Sequence, residues 1–165
     1  RREDAMKLST KGRYGLSAMI DLAVYSENEA VSLNSIAERQ HISEGYLEQL
    51  MAKLKKAGLV TSIRGASGGY RLARPAAEVS VGDILRALEG SLKAVECPGE
   101  QANGCEESSF CVTKYVWERM NASIQKTVDE IKLSDLINES RRVKKTTEIH
   151  TTGKTNEPCA RSEKS

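Results

Sequence analysis

Residues 59–72 place two short β-rich runs, Leu59-Val60-Thr61-Ser62-Ile63 and Tyr70-Arg71-Leu72, on either side of Gly65-Ala66-Ser67-Gly68-Gly69. A glycine cluster between two such runs is a chain reversal, so this stretch is a β-hairpin with Arg64 at its turn and Arg71 on the returning strand. What it follows restricts the fold further. Three helical stretches precede it without another β-rich run of this kind, so the hairpin is an appendage to a helical body.

The first helix spans Leu8 to Ser26, with Leu16, Met19, Ile20, Ala23 and Val24 at helical spacing. A short helix over Leu33–Arg39 follows, with Ser32 and Ser35 as candidate caps and Ser35 with Glu38 at capping-box spacing. After a break at His41-Ile42-Ser43, a third helix runs from Glu44 to Ala57, capped by Ser43 and stopped by Gly58. Leu47, Leu50, Met51 and Leu54 form its inward stripe. Gly45, Gln49, Ala52 and Lys56 face outward, flanked by Tyr46, Glu48 and Lys53. Two helices joined by a tight turn, the second amide-bearing and basic outside, make a helix-turn-helix. Gln can read an adenine edge, Glu can accept from cytosine N4, and Lys suits phosphate. Taken alone, the pair reads more readily as an ordinary amphipathic element with a solvated face. The basic hairpin shifts the balance, because three helices and a wing are the winged-helix order. Arg64 beside glycines suits a narrow minor groove, which a glycine backbone can approach closely.

Ser80 caps a further helix to Glu89, with Val81, Ile84, Leu85 and Leu88 inward and Gly90 as its stop. Residues 91–111 then hold Cys97, Cys105 and Cys111 together with Pro98, Gly99 and Gly104. That stretch reads as a loop, too broken for a helix and too polar for a core strand. Thiolates gathered on a loop bind a soft metal or an iron–sulfur cluster, or respond to oxidants. The longest helix follows from Val112 to Ile131, striped by Val112, Val116, Met120, Ile124, Val128 and Ile131 and widened by Tyr115 and Trp117. Too little of the chain remains to cover it, so a second subunit is the expected cover. Ser134 is the expected cap of a final helix, Asp135–Arg141, carrying Leu136 and Ile137. Residues 142–165, with Cys159, read as a flexible tail.

The fold class expected is therefore mainly α with a small β wing: a winged helix-turn-helix DNA-binding domain over 6–90 and dimerisation helices over 112–141. Residues 1–5 precede Met6, which reads as the native start, and are taken as a cloning remnant. In 165 residues with 39% hydrophobic content, one small core is feasible. No apolar run approaches the roughly eighteen residues of a membrane span and no signal-peptide core is evident, so a cytoplasmic protein without a membrane partner is expected. In that compartment clustered cysteines point to ligands or redox sensors rather than a disulfide framework. The net charge of +2 hides an asymmetry. Residues 1–75 carry 12 Lys/Arg against 8 Asp/Glu, whereas 76–115 carry 3 against 7. A basic N-terminal half suits a polyanion.

Together these residues resemble the IscR family of bacterial winged-helix regulators, which includes nitric-oxide- and cysteine-responsive members. The resemblance covers about Met6 to Arg141. It rests on the opening Met6-Lys7-Leu8-Ser9-Thr10-Lys11-Gly12-Arg13-Tyr14-Gly15, on Ile42-Ser43-Glu44-Gly45-Tyr46-Leu47-Glu48-Gln49-Leu50, on Arg64-Gly65-Ala66-Ser67-Gly68-Gly69-Tyr70, and on the three cysteines. It implies a homodimeric transcription factor on palindromic promoter DNA, a repressor of iron–sulfur cluster biogenesis genes that senses cluster status. The implied cluster ligands are Cys97, Cys105 and Cys111, holding 2Fe–2S in the first instance and 4Fe–4S as the alternative. Ser43, Tyr46, Glu48, Gln49 and Arg64 match the family's DNA contacts, and Lys53 and Lys56 are added from the outward face of the helix.

One departure bears on the cluster. The iron–sulfur regulator places a His three residues after its third cysteine, and here that position is Lys114. A protonated lysine is a poor iron ligand. The interval from Cys97 to Cys105 is longer than that regulator's by two residues, and the acidic ligand of the nitric-oxide sensor is matched by Arg13. Glu106, Glu107, a partner-subunit carboxylate, His150, Cys159 and solvent remain as the fourth donor, with a loop or partner carboxylate preferred. The alternative reading keeps the DNA-binding module and makes the same cysteines a zinc site or a thiol redox or nitric oxide switch, although neither interval has the short spacing zinc favours. An electron-transfer protein would leave the outward row and the arginine wing unexplained. No phosphate-binding Gly-rich loop followed by Lys and no nucleophile elbow is present, and His41 and His150 are far apart, so an enzyme is not expected.

Overall fold

The computed structural model describes residues 9–27, 29–93 and 112–152, with side chains as far as 145. All four cysteines, Glu106, Glu107 and the His150 side chain lie outside the described residues, so the cluster expectation does not meet the structure directly. The element order is α1 (Thr10–Tyr25), α2 (Leu33–Gln40), α3 (Glu44–Lys56), β1 (Val60–Ile63), β2 (Gly69–Leu72), a 3-10 turn (Ala76–Glu78), α4 (Val81–Glu89), α5 (Val112–Glu130) and α6 (Leu133–Thr152). This is the mainly helical architecture with a two-stranded wing that the sequence predicts.

Serines start four of the first helices. The hydroxyls of Ser9, Ser32, Ser43 and Ser80 accept from the N–H of Lys11, Ser35, Tyr46 and Asp83, each satisfying a donor that the helix leaves open. The Asp83 carboxylate in turn accepts from the Ser80 N–H, completing a capping box. Of the two caps proposed for α2, Ser32 performs the task. Ser35 lies inside the helix and donates its hydroxyl to the Ser32 carbonyl.

α1 is the central element and packs on α2, α3, α4, α6 and β2. The core gathers Met19 and Leu22 of α1, Ile36 of α2, the four-residue stripe of α3, Leu59, Val60 and Ile84. Within it, Asp21 is a buried carboxylate. Arg39 clamps it, with Nε 2.9 Å and Nη2 2.7 Å from its two oxygens, and Gln40 adds a bond at 3.3 Å. The guanidinium also lies 4.2 Å from the ring centre of Tyr25, so one arginine ties the end of α2 to two turns of α1.

The wing pairs Val60 with Leu72 and Ile63 with Gly69, antiparallel. It is anchored to the body by a bridge in which Val31 and Tyr70 exchange N–H···O bonds of 2.9 and 2.8 Å. Gly69 is needed there, because a Cβ would come within 2.3 Å of the Val31 carbonyl oxygen.

The C-terminal helices differ from expectation in two ways. α6 begins at Leu133, so Ser134 lies inside it, and the Asp135 carboxylate takes the Lys132 N–H at 2.9 Å. Leu133 is fully buried and joins Ile137 in the core of the winged-helix body, so α6 is part of that body as well as following α5. The helix also continues through Thr152, where the sequence suggests a flexible tail from 142. Residues 141–145 are exposed and show no apolar period, and contacts lie along this part of the helix: Arg141 pairs with Glu27 at 2.5 Å, Arg142 with Glu139 at 2.8 Å, and Lys144 lies 5.5 Å from the Tyr25 ring centre. α5 has no buried residue; Val112 is 80% exposed and Tyr115 58%. It is tied to α4 by Arg86, whose Nη2 donates to both oxygens of Asp129 at 2.7 Å and thereby holds that carboxyl below its ordinary range.

Removing one member of the Asp21–Arg39 pair strands a buried charge. Arg39→Ala is expected to destabilise the protein by about 3 kcal/mol, at the lower end for buried pairs because the arginine side chain is 33% exposed. Urea unfolding should show a lower midpoint with an unchanged slope. Pairing the change with Asp21→Asn should recover much of the loss, since no uncompensated charge then remains.

Candidate nucleic-acid interface

The turn between α2 and α3 is fixed by backbone bonds. His41 adopts the left-handed conformation (φ 54°) and its N–H reaches the Ala37 and Glu38 carbonyls, while the Ile42 N–H returns to Ala37 at 3.1 Å. That closure ends α2 after a single residue of reversed twist, and Ser43 starts α3 immediately. His41 is exposed and is used here for its backbone.

Burial of Leu47, Leu50, Met51 and Leu54 then sets the roll of α3 about its axis. Each contributes about 2 kcal/mol, which outweighs the roughly 1 kcal/mol of a cap. The opposite side is left in solvent: Ser43, Glu48, Gln49, Lys53 and Lys56 are all exposed. Tyr46 is half-buried, its ring edge-on to Tyr14 of α1 at a centroid distance of 6.0 Å. Glu44 at the start and Lys53, Lys55 and Lys56 at the end place charge as the helix dipole favours. Arg64 is exposed where β1 meets the glycine turn, which closes with a Gly68 N–H to Gly65 carbonyl bond of 3.0 Å.

The structure thus sets Ser43, Glu48, Gln49 and Lys56 on the exposed side of one helix, with Arg64 on the hairpin that follows it. Lys53 differs from this row in one respect. Its ammonium donates to the Leu88 carbonyl of α4 at 3.4 Å, so it braces the helix from the side. Three further residues shape the surface without a sequence signal. Lys55 donates to the Ser62 hydroxyl at 2.6 Å and ties α3 to the wing; Asn34 donates to Glu44 at 2.5 Å and ties α2 to α3; Glu89 accepts from Ser9 and Gly12 at the start of α1. Each joins residues that are distant or unrelated in pattern, so spacing gives no hint of it.

Among the described residues no group of three or more His, Cys, Asp or Glu is placed to hold a metal ion. The donor set in the sequence, three thiols, has the soft chemistry that iron–sulfur clusters take. Lys114 stands in the first turn of α5 with its ammonium 3.8 Å from Glu118, an ion pair rather than a ligand pose. Among the described residues no helix is long and apolar enough to cross a membrane.

Comparison with known proteins agrees with this architecture. Residues 8–139 match the Rrf2 family model, described as an iron-dependent transcriptional regulator. The HTH-type transcriptional regulator IscR of Vibrio atlanticus is 42% identical over 135 residues, covering 82% of this chain and 77% of the relative. Among solved structures, T. potens IscR superposes with a TM-score of 0.66 at 49% identity, covering 81% of this chain and 88% of that one. CymR, the global cysteine regulator of B. subtilis, gives 0.69 at 41% identity, covering 81% and 97%. These relatives are transcriptional regulators and not enzymes. With a winged helix-turn-helix built as above and a family match over most of its length, the chain belongs to the Rrf2 family of transcriptional regulators and is an IscR-like member of it.

Proposed function

We propose that the protein is a homodimeric, DNA-binding repressor of iron–sulfur cluster biogenesis genes that senses cluster status through a cluster on Cys97, Cys105 and Cys111. The observation that carries this reading is the exposed polar row of α3 beside an arginine-bearing wing, in an IscR-like chain whose cysteines follow α4. Glu48 and Gln49 read base edges in the major groove of a palindromic promoter site. Ser43, Tyr46, Lys53 and Lys56 hold phosphates or flank the reading pair, and Arg64 enters the adjacent minor groove. The apolar face of α5, where Tyr115, Val116, Met120 and Ile124 line an open groove, meets the same face of a second subunit and sets the spacing of the two reading helices.

The three thiolates supply soft, anionic donors for 2Fe–2S, with 4Fe–4S as the alternative, and the carboxylate of Glu106 or Glu107, or one of the partner subunit, completes the set. A bound cluster would supply a group whose presence follows iron and sulfide supply. The chain's own residues do the rest: α3 and the wing bind DNA, and α5 orients the pair. A second reading makes the same cysteines a zinc site or a thiol redox or nitric oxide switch. The likeness to CymR, a cysteine regulator, favours the switch form of it.

Arg64→Ala should weaken binding to a cognate duplex about tenfold and flatten the dependence of log K on log salt by about one unit, measured by fluorescence anisotropy across a salt series. Unchanged slope and affinity would remove the wing from the interface.

Protein purified without oxygen should be brown and contain iron and sulfide. Cys97→Ala, Cys105→Ala and Cys111→Ala should each lose the visible absorption while retaining the fold by circular dichroism. Stoichiometric zinc without iron would select the zinc reading, and metal-free thiols that oxidise reversibly would select the switch.

A further inference from the structure

The last turn of α4 is a junction of three helices. The Glu89 carboxylate accepts from the Ser9 hydroxyl and, at 2.9 Å, from the Gly12 N–H, both at the first turn of α1. One residue earlier the Leu88 carbonyl accepts from Lys53 Nζ of α3 at 3.4 Å. The Leu88 side chain fills the space above Gly15, where a Cβ would come within 2.1 Å of its Cδ1. The triangle closes on its third side through Tyr14 of α1 against Tyr46 of α3.

Each side has a physical reason. The N–H groups of a helix start lack intrahelical partners and carry partial positive charge, so one carboxylate oxygen that takes two donors there holds the start of α1 firmly. Gly90, at φ 84°, turns the chain out of α4 and leaves the Leu88 carbonyl open for an ammonium from the side. The chain then leads directly into the stretch containing Cys97.

We propose that Glu89 is a positioning residue for DNA recognition: by holding the start of α1 on the end of α4, it sets the pose of α3 and passes the state of the cysteine stretch to the reading helix. This rests on the function proposed above and extends it. A group bound by the cysteines that follow acts on the last turn of α4, and that turn meets α3 directly through the Leu88 carbonyl and indirectly through α1. Glu89 is assigned no contact with DNA or with the bound group. Its effect is on the coupling between them, a free energy separate from either affinity.

The test compares wild type, Glu89→Ala and Glu89→Gln, each metal-free and each reconstituted anaerobically with ferrous iron and sulfide. The probe is a duplex selected by metal-free wild type from a random pool. Wild type should show a ratio of loaded to metal-free Kd different from one. Glu89→Ala should bring that ratio to within about twofold of one, and Glu89→Gln, which keeps the acceptor oxygen, should preserve it. A purely structural role would lower the Tm and shift both Kd values together, leaving the ratio unaltered, and that result overturns the proposal. Hydrogen exchange on metal-free protein gives a readout independent of any cluster: Glu89→Ala should speed exchange about tenfold at Gly12 and also in the first turn of α3. Faster exchange confined to α1 overturns it. A wild-type ratio of one would defeat the sensing function instead, and the exchange result alone would then decide the role of Glu89. Should Glu89→Ala fail to fold, Ser9→Ala removes one of the two bonds and takes its place.

Discussion

Leu47, Leu50, Met51 and Leu54 are at most 1% exposed, and their burial against α1 and α2 is the constraint on which the presented surface depends. A helix with one stripe fixed in a core has no freedom to roll. Its other side is then determined residue by residue, and Glu48, Gln49 and Lys56 face solvent because the leucines cannot. The remaining freedoms of α3 are its tilt and its translation along its axis. These are held by polar contacts at three points: Asn34 on Glu44 near its start, Leu88 on Lys53 along its side, and Ser62 on Lys55 near its end.

The polar contacts differ in weight. Exposed pairs such as Lys55 with Ser62 contribute little stability on their own, and their value lies in direction. The Asp21–Arg39 pair is different, because it sits where α2 leaves α1 and its loss would strand a buried carboxylate. It fixes α2, α2 fixes the tight turn at His41, and the turn fixes where α3 begins. The winged-helix body is therefore organised around α1, and its one long apolar face without a covering element among the described residues is that of α5.

Much of this was legible in the order of residues. Ser43 followed by a leucine stripe and Gly58 marks α3 because caps, periodicity and stop signals are local and agree. The wing was legible for the same reason, since glycines and β-rich runs are local. What was not legible is long-range or solvated. Nothing near Glu89 announces that it caps α1, eighty residues away in sequence from Ser9. Ser134 offers a ready cap and points to a helix from Asp135, whereas α6 starts at Leu133 because the Asp135 carboxylate takes the Lys132 N–H and Leu133 plugs into the core. Its continuation past Arg141 is not legible because the exposed residues 141–145 carry no apolar period. Of the candidate site, the outward row and Arg64 were read from pattern, and the braces that orient them were not.

The central claim is that an IscR-like DNA-binding body carries an iron–sulfur cluster held by three thiolates and one donor of another kind. A Mössbauer spectrum of protein isolated without oxygen from cells grown on isotopically enriched iron tests it most directly. Three cysteines with a non-thiolate fourth donor make the two ferric irons of an oxidised 2Fe–2S cluster inequivalent, so in that oxidation state two quadrupole doublets of distinct isomer shift are predicted. Protein that is folded, binds DNA and gives no iron signal would contradict the claim and leave the cysteines to zinc or to thiol chemistry.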